Sequence, residues 1–238
     1  MVIFDDKDEG RQAVWSTLEE RGQARFPFPP KGRIPNFKGA EEAARRLMEH
    51  PLFVNAKTLK INPDSPQRPL REAALRAGKT LLVPTPRLKA GFLRFDPDQI
   101  DEDDMRDASM ISRWGPHADS LELEAMPPLD LIVTGCVAVT RDGERLGKGH
   151  GYSDLEYAIV QELGQAPVPV VTTVHELQVV EGFPSSDHDL RLSVLATPER
   201  VIDCGVEHGG HQGIDWSLID EEDVAAMPVL KQLSDSHR

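Results

Sequence analysis

RLGKGHGYSDLEYAI, residues 145–159, is the stretch whose reading decides the fold. Two apolar pieces precede it, Leu131 to Val133 and Cys136 to Val139, followed by Arg141-Asp142-Gly143-Glu144 with a tight-turn signal at Asp-Gly. Gly147, Gly149 and Gly151 come next at single-residue spacing, and a helical segment starts at Ser153. A strand, a glycine loop and a helix start in that order can cradle an anion. Glycines let backbone N–H groups approach, and the helix N-terminus adds partial positive charge. Arg145 and Lys148 supply full charges beside the loop, and Asp154 supplies a carboxylate for a magnesium ion. The spacing is neither a Walker A loop nor a dinucleotide fingerprint, and by itself it suits a turn between two elements about as well.

Outward from this loop, strands alternate with helices. Lys7 to Arg21 reads as a helix carrying Lys7 and Arg11 on one face, four residues apart. Pro27, Pro29, Pro30 and Pro35 forbid a helix through the next stretch, whose Phe26, Phe28, Ile34 and Phe37 are expected to pack and to carry Arg33 and Lys38 toward the cleft. Helices are expected over Ala40–His50, with Pro51 as the stop, and over Arg68–Ala77. Strands are expected at Thr58–Ile61, Thr80–Val83, Leu129–Thr134, Val137–Thr140, Val168–Val174, Leu190–Leu195 and Arg200–Asp203. Helical pattern returns over Ser153–Leu163 and Val224–Leu233, and the acidic segment Asp98–Arg113 is also compatible with a helix. The alternation indicates an α/β fold: an open, mostly parallel sheet sandwiched by helices, with one domain over residues 1–238. Pro84-Thr85-Pro86-Arg87 leaves the sheet at a strand's C-terminal end, where open sheets of this class bind ligands.

With 39% hydrophobic residues in 238, the chain can bury a substantial core. Its net charge of -13, from 40 acidic and 27 basic residues, makes nucleic acid an unexpected partner. No apolar run approaches the ~18 residues of a membrane span, and the acidic start MVIFDDKDEGRQ does not read as a secretory signal. Cys136 and Cys204 sit in apolar contexts, as small core residues in a reducing, cytoplasmic compartment would. Oligomeric state is not written in these features.

R-L-G-x-G-x-G-Y-x-D at Arg145–Asp154 resembles the 5-formyltetrahydrofolate cyclo-ligase (methenyltetrahydrofolate synthetase) family. Lys7-x-x-x-Arg11 is similar to its N-terminal basic pair, GKTLLVP at 78–84 to its strand exit, His188-Asp189 to its H-D before a strand, and Thr197-Pro198 to its closing turn. RIPNFKG, TLLVPTPRL, GKGHGYSDLEYA and GIDW resemble the methenyltetrahydrofolate synthetase domain-containing branch; some of its members carry an RNA-recognition domain, which these residues do not supply. The resemblance implies the open α/β fold shared with glucosamine-6-phosphate isomerase, ribose-5-phosphate isomerase and CoA transferases (NagB/RpiA/CoA transferase-like). It implies ATP and Mg2+ as cofactors and a folate or pterin as the small-molecule substrate. The reaction it implies is phosphorylation of the formyl oxygen of 5-formyltetrahydrofolate by ATP, closure of the ring nitrogen on the activated carbon, and loss of phosphate to give 5,10-methenyltetrahydrofolate.

On these positions the resemblance assigns catalytic charge to Arg145 and Lys148. It places the nucleotide on Lys7, Arg11, Gly147, Gly149, His150, Gly151 and Tyr152, and the metal on Asp154. The chain also departs from the family. Leu155 stands where an arginine is usual, Gly135 to Thr140 replace P-G-x-A-F-D, and Lys60 stands where an acid is usual. An ammonium has no acceptor for pterin N–H groups. Aromatic candidates for stacking a pterin are Phe92, Trp114, Tyr152 and Tyr157, and His175-Glu176 is a further ionisable pair near the expected cleft. Two readings follow: an ATP-dependent cyclo-ligase, or a non-catalytic nucleotide- or folate-binding module that keeps the fold.

Overall fold

The computed structural model describes residues 2–210 and 213–236. In chain order the helices are α1 (Lys7–Glu20), α2 (Ala40–Met48), α3 (Pro51–Asn55), α4 (Arg68–Arg76), α5 (Met105–Ala108), α6 (Tyr152–Glu162), α7 (Glu221–Ala226) and α8 (Pro228–Ser236). The strands are β1 (Ala24–Arg25), β2 (Asn36–Phe37), β3 (Thr58–Ile61), β4 (Thr80–Pro84), β5 (Phe92–Phe95), β6 (Asp119–Leu121), β7 (Leu131–Val133), β8 (Ala138–Thr140), β9 (Arg145–Leu146), β10 (Val170–Thr173), β11 (Val179–Val180), β12 (Val194–Ala196) and β13 (Val201–Asp203). Eight strands form the central sheet in the order β13-β12-β10-β7-β3-β4-β5-β6. From β12 to β4 neighbours run parallel, and β13, β5 and β6 add antiparallel edges.

Side-chain alternation divides this sheet between two apolar layers. Leu59, Ile61, Leu81, Val83, Leu131 and Val133 pack with Leu47 of α2 and Leu70, Ala74 and Leu75 of α4. Leu82, Ile132 and Val170 face the other way, into the layer holding Ala158, Ile159 and Val160 of α6 and Leu230 and Leu233 of α8. The same alternation turns Lys60, between Leu59 and Ile61, toward the α6 side.

A second sheet, β11-β8-β9, stands apart from the first. Val137, Ala138 and Leu146 pack there with Val14, Trp15 and Leu18 of α1 and with Ile34 of the proline-rich stretch. Trp15 Nε1 donates to the Arg33 carbonyl at 3.0 Å, so helix and strap are tied together. Asp6 caps α1 by accepting from the Asp8 and Glu9 N–H groups. Burying α1 against β8 and β9 is what brings the N-terminus beside the glycine loop.

The expected strands Thr80–Val83, Leu131–Val133 and Val168–Val174 do share one parallel sheet. Several elements differ from expectation. Residues 137–140 contribute to the small sheet, and Leu190–Leu195 is extended as a strand only from Val194. Pro51 does not simply stop a helix; it opens α3 at a first-turn position, with His50 as N-cap. The acidic segment forms short 3-10 turns and the four-residue α5. Consecutive like charges at Asp101–Asp104 and the absence of an apolar stripe leave nothing to stabilise a longer helix there. Pro228 divides the expected last helix into α7 and α8.

Gly143 makes the β8–β9 turn at φ +87, where a Cβ would overlap the Leu192 carbonyl oxygen. This turn delivers the glycine loop. Gly143→Ala is therefore expected to destabilise the fold by about 1–3 kcal/mol, read as a lower urea midpoint; an unchanged midpoint would show that the turn relaxes freely.

Candidate functional site

Three segments meet at one end of the central sheet: the exits of β3 and β4, the loop from β9 to α6, and the start of α1. They enclose a cleft of about 330 Å³. Lys7, Arg11, Arg145, Gly147, Lys148, Gly149, His150, Gly151, Tyr152 and Asp154 all line it, so the residues expected from sequence are brought together. Asn62, Asp64, Arg87, Glu156 and Asp189 line it as well.

Arg145 lies under the loop with a side chain 2% exposed, and its Nη1 donates to Asp154 Oδ1 at 2.8 Å. Burial works against its charge, but the Asp154 carboxylate and neighbouring groups outweigh it and hold the pKa above the usual arginine value. A Cβ on Gly147 would lie 2.7 Å from Arg145 Nη2, so only glycine lets the backbone pass over this guanidinium. From the other side, Arg11 Nε donates to the Gly147 carbonyl at 2.8 Å. Gly149, at φ +96, sits 3.4 Å from the Arg11 guanidinium measured at its absent Cβ. Two arginines thus clamp the loop. Gly151, at φ +67, caps α6 with no side-chain hydrogen bond, which leaves first-turn N–H groups available to an anion.

Carboxylates of the chain already engage most of the cations. Lys7 Nζ lies 2.6 Å from Asp189 Oδ2, Lys148 Nζ lies 3.2 Å from Asp64 Oδ1, and Arg11 pairs with Asp8. Arg87 pairs with no carboxylate among the described residues and sits at φ 56 on the cleft rim, beside the β4 exit. Below the loop, Lys60 Nζ donates to Glu156 Oε2 and, at 2.6 Å, to Asn62 Oδ1, while Asn62 Nδ2 reaches Ser153 Oγ at 3.3 Å. Arg71, fully buried on α4, donates to the carbonyls of Asn62 (2.6 Å), Asp64 (3.1 Å) and Ser109 (3.1 Å), which fixes the loop that carries Asp64.

Of the aromatic candidates, Tyr152 alone lines the cleft, stacked on His150 with ring centroids 5.7 Å apart. Phe92 and Tyr157 are core residues, and Trp114 packs on Phe95. His175-Glu176 lies outside the cleft lining. His175 Nδ1 accepts from the Leu177 N–H as a cap, burial pushes its pKa down, and Glu176 accepts from the Glu199 N–H. Arg33 lines an adjoining groove with Lys148 and Asp64, whereas Lys38 is exposed and lines neither space. Asp64, Asp189 and Glu156 lie far in sequence from the cations they engage, so sequence spacing does not mark them as partners of Lys148, Lys7 and Lys60.

A magnesium ion fits this donor set in a limited way. Among the described residues no group of three His, Cys, Asp or Glu side chains can hold a metal. Asp154 Oδ1 is occupied by Arg145 and by the Leu190 N–H at 2.9 Å. Its other oxygen can supply one ligand. Magnesium that keeps water and phosphate oxygens as its remaining ligands needs no more from a protein.

The sequence profile of the 5-formyltetrahydrofolate cyclo-ligase family matches residues 5–198. A methenyltetrahydrofolate synthase domain-containing protein of Bos taurus is 41% identical over 234 residues, covering 95% of this chain and 61% of that protein. The chain therefore spans about three-fifths of the length of that relative. A 5-formyltetrahydrofolate cyclo-ligase of Escherichia coli K12 is 30% identical over 172 residues, covering 68% of this chain and 88% of that protein. The solution structure of Aquifex aeolicus 5,10-methenyltetrahydrofolate synthetase superposes with a TM-score of 0.53 at 21% identity, covering 90% of this chain and 99% of that one. That likeness supports the α/β fold.

The Lys7–Asp189 pair has a pH signature. Burial raises the Asp189 pKa, but the Lys7 ammonium and the Ser186 N–H outweigh it and leave it below the ordinary 3.8. A carboxyl depressed in the folded state stabilises above its unfolded pKa and loses that contribution as pH falls through its folded value. Asp189→Asn should therefore flatten the acid limb of stability below about pH 4, measured as urea midpoints against pH. Parallel acid limbs in the two proteins would contradict the pairing.

Proposed function

Since the chain belongs to the 5-formyltetrahydrofolate cyclo-ligase family, we propose that residues 1–238 act as one cyclo-ligase-like domain that uses ATP and magnesium to convert 5-formyltetrahydrofolate, or a related pterin, to 5,10-methenyltetrahydrofolate with release of ADP and phosphate. The observation that carries this reading is the convergence of Lys7, Arg11, Arg87, Arg145 and Lys148 with the uncapped start of α6 on one cleft. A chain of net charge -13 repels ATP at long range, so a local concentration of cations and N–H donors has a function to explain.

Phosphoryl transfer asks a protein for positioning and charge neutralisation more than for covalent chemistry. The backbone N–H groups of Gly147 to Gly151 and of the first turn of α6 bind phosphate oxygens. Lys148, Lys7 and Arg11 spread positive charge over the triphosphate, Arg87 adds a cation from the β4 exit, and Arg145 holds the loop and Asp154 in register. Asp154 would hold magnesium, which when bound screens charge between phosphate oxygens. His150 and Tyr152 form the stacked pair at the cleft wall. The partner is a small molecule, in a cytoplasmic setting; no helix among the described residues is long and apolar enough to cross a membrane.

One observation favours a second reading, a nucleotide- or folate-binding module without turnover. Lys7, Arg11, Arg145 and Lys148 each already have a carboxylate partner, so a triphosphate must displace Asp189 and Asp64 to be held tightly. Near-ultraviolet absorbance of the methenyl product, followed with ATP, magnesium and 5-formyltetrahydrofolate, separates the two. The first reading expects a rise that needs all three components, and a loss of about a hundredfold in kcat/KM for Gly149→Val, whose side chain misplaces Arg11 and the phosphates. Binding without a rise supports the second reading. Neither binding nor a rise overturns both.

A further inference from the structure

Lys60 and Glu156 are a buried ion pair to which the proposed nucleotide site assigns no role. Lys60 is 2% exposed and Glu156 7%, at the floor of the cleft, where β3 ends beneath the first turns of α6. Strand alternation turns Lys60 toward α6, and Glu156 meets it from the second turn of that helix. Replacing such a pair by apolar side chains is often neutral or stabilising, so stability alone does not account for it. Glu156 Oε2 is held by Lys60, and Asn62 steadies the same ammonium. Oε1 accepts from no donor among the described residues, and Glu156 lines the cleft.

The charges around this floor select the ligand's chemistry. Lys60 neutralises Glu156, and Asp154 neutralises Arg145 beside it. The floor therefore offers a directional acceptor with no net charge, which suits neutral N–H donors rather than an ammonium group. We propose that Glu156 is a specificity-determining residue that accepts from the N–H donor edge of a nitrogen heterocycle, and that Lys60 is the positioning residue that holds it. The heterocycle is the pterin ring of the substrate; this assignment rests on the functional reading above.

Adenine carries an N–H donor too, so the test titrates 5-formyltetrahydrofolate and ATP with magnesium separately, by calorimetry. The variants remove the pair together, Lys60→Met with Glu156→Leu, or keep one acceptor oxygen, Lys60→Met with Glu156→Gln. Both should melt close to the wild type. The Leu form should bind 5-formyltetrahydrofolate about ten- to a hundredfold more weakly, the Gln form should lie between it and the wild type, and ATP affinity should not change. Folded variants that bind the folate as the wild type does overturn the inference alone, and so does weakening confined to ATP. A wild type that binds no 5-formyltetrahydrofolate overturns the functional reading first, and this inference with it.

Discussion

The ion pair between buried Arg145 and half-buried Asp154 is the interaction on which the site depends. It joins β9 to the first turn of α6 across the glycine loop, and Asp154 also accepts the Leu190 N–H from the segment that carries Asp189. A guanidinium so fully enclosed survives only with its carboxylate, because removing one partner leaves an uncompensated buried charge. The glycine at 147 follows from the same constraint: any side chain there would collide with Arg145. Loop, helix start and the Asp189 segment are therefore placed by one electrostatic contact. The loop's composition is a consequence of that contact as much as of the ligand.

Around this anchor the chain balances an acidic surface against a cationic cleft. The small sheet gives α1 an apolar seat, and α1 brings Lys7 to Asp189 and Arg11 to the Gly147 carbonyl. Arg71 holds three carbonyls from inside the fold, and so sets Asp64 opposite Lys148. Lys7 and Lys148 are each kept in place at the cleft by a carboxylate, Asp189 and Asp64, whereas Arg145 needs Asp154 to stay. Cations positioned in advance are what the proposed anion site requires in a protein that repels anions from a distance.

The sheet and the loop were legible because their signals are local. Thr80–Val83 and Leu131–Val133 are apolar runs of strand length, and Gly147, Gly149 and Gly151 mark backbone that must approach something closely. Family resemblance added Lys7 and Arg11, whose helical spacing alone said nothing of the cleft. The ionic partners were not legible. Asp64, Asp189 and Glu156 sit among 40 acidic residues, and only the packing of distant segments distinguishes them from solvated surface. The short edge strands β5 and β6 carry no clear pattern for a related reason: Phe92–Phe95 contains Arg94, and Asp119–Leu121 is mostly polar, so β5 is set by pairing with β4 and β6 by pairing with β5 rather than by their own sequence. Leu155, read as a lost charge, packs against the apolar layer on the α6 side.

The central claim is that the glycine-loop cleft is an anion site whose cations exchange a protein carboxylate for phosphate. Calorimetric titration of ATP with magnesium into the wild type and into Lys148→Ala tests it most directly, since the Lys148 side chain is exposed and belongs to no apolar layer of the core. Binding to the wild type should be measurable, and the affinity of the variant about ten- to a hundredfold lower, as expected for one charge-assisted hydrogen bond. Equal affinity in the two proteins would contradict it and take the loop out of the site.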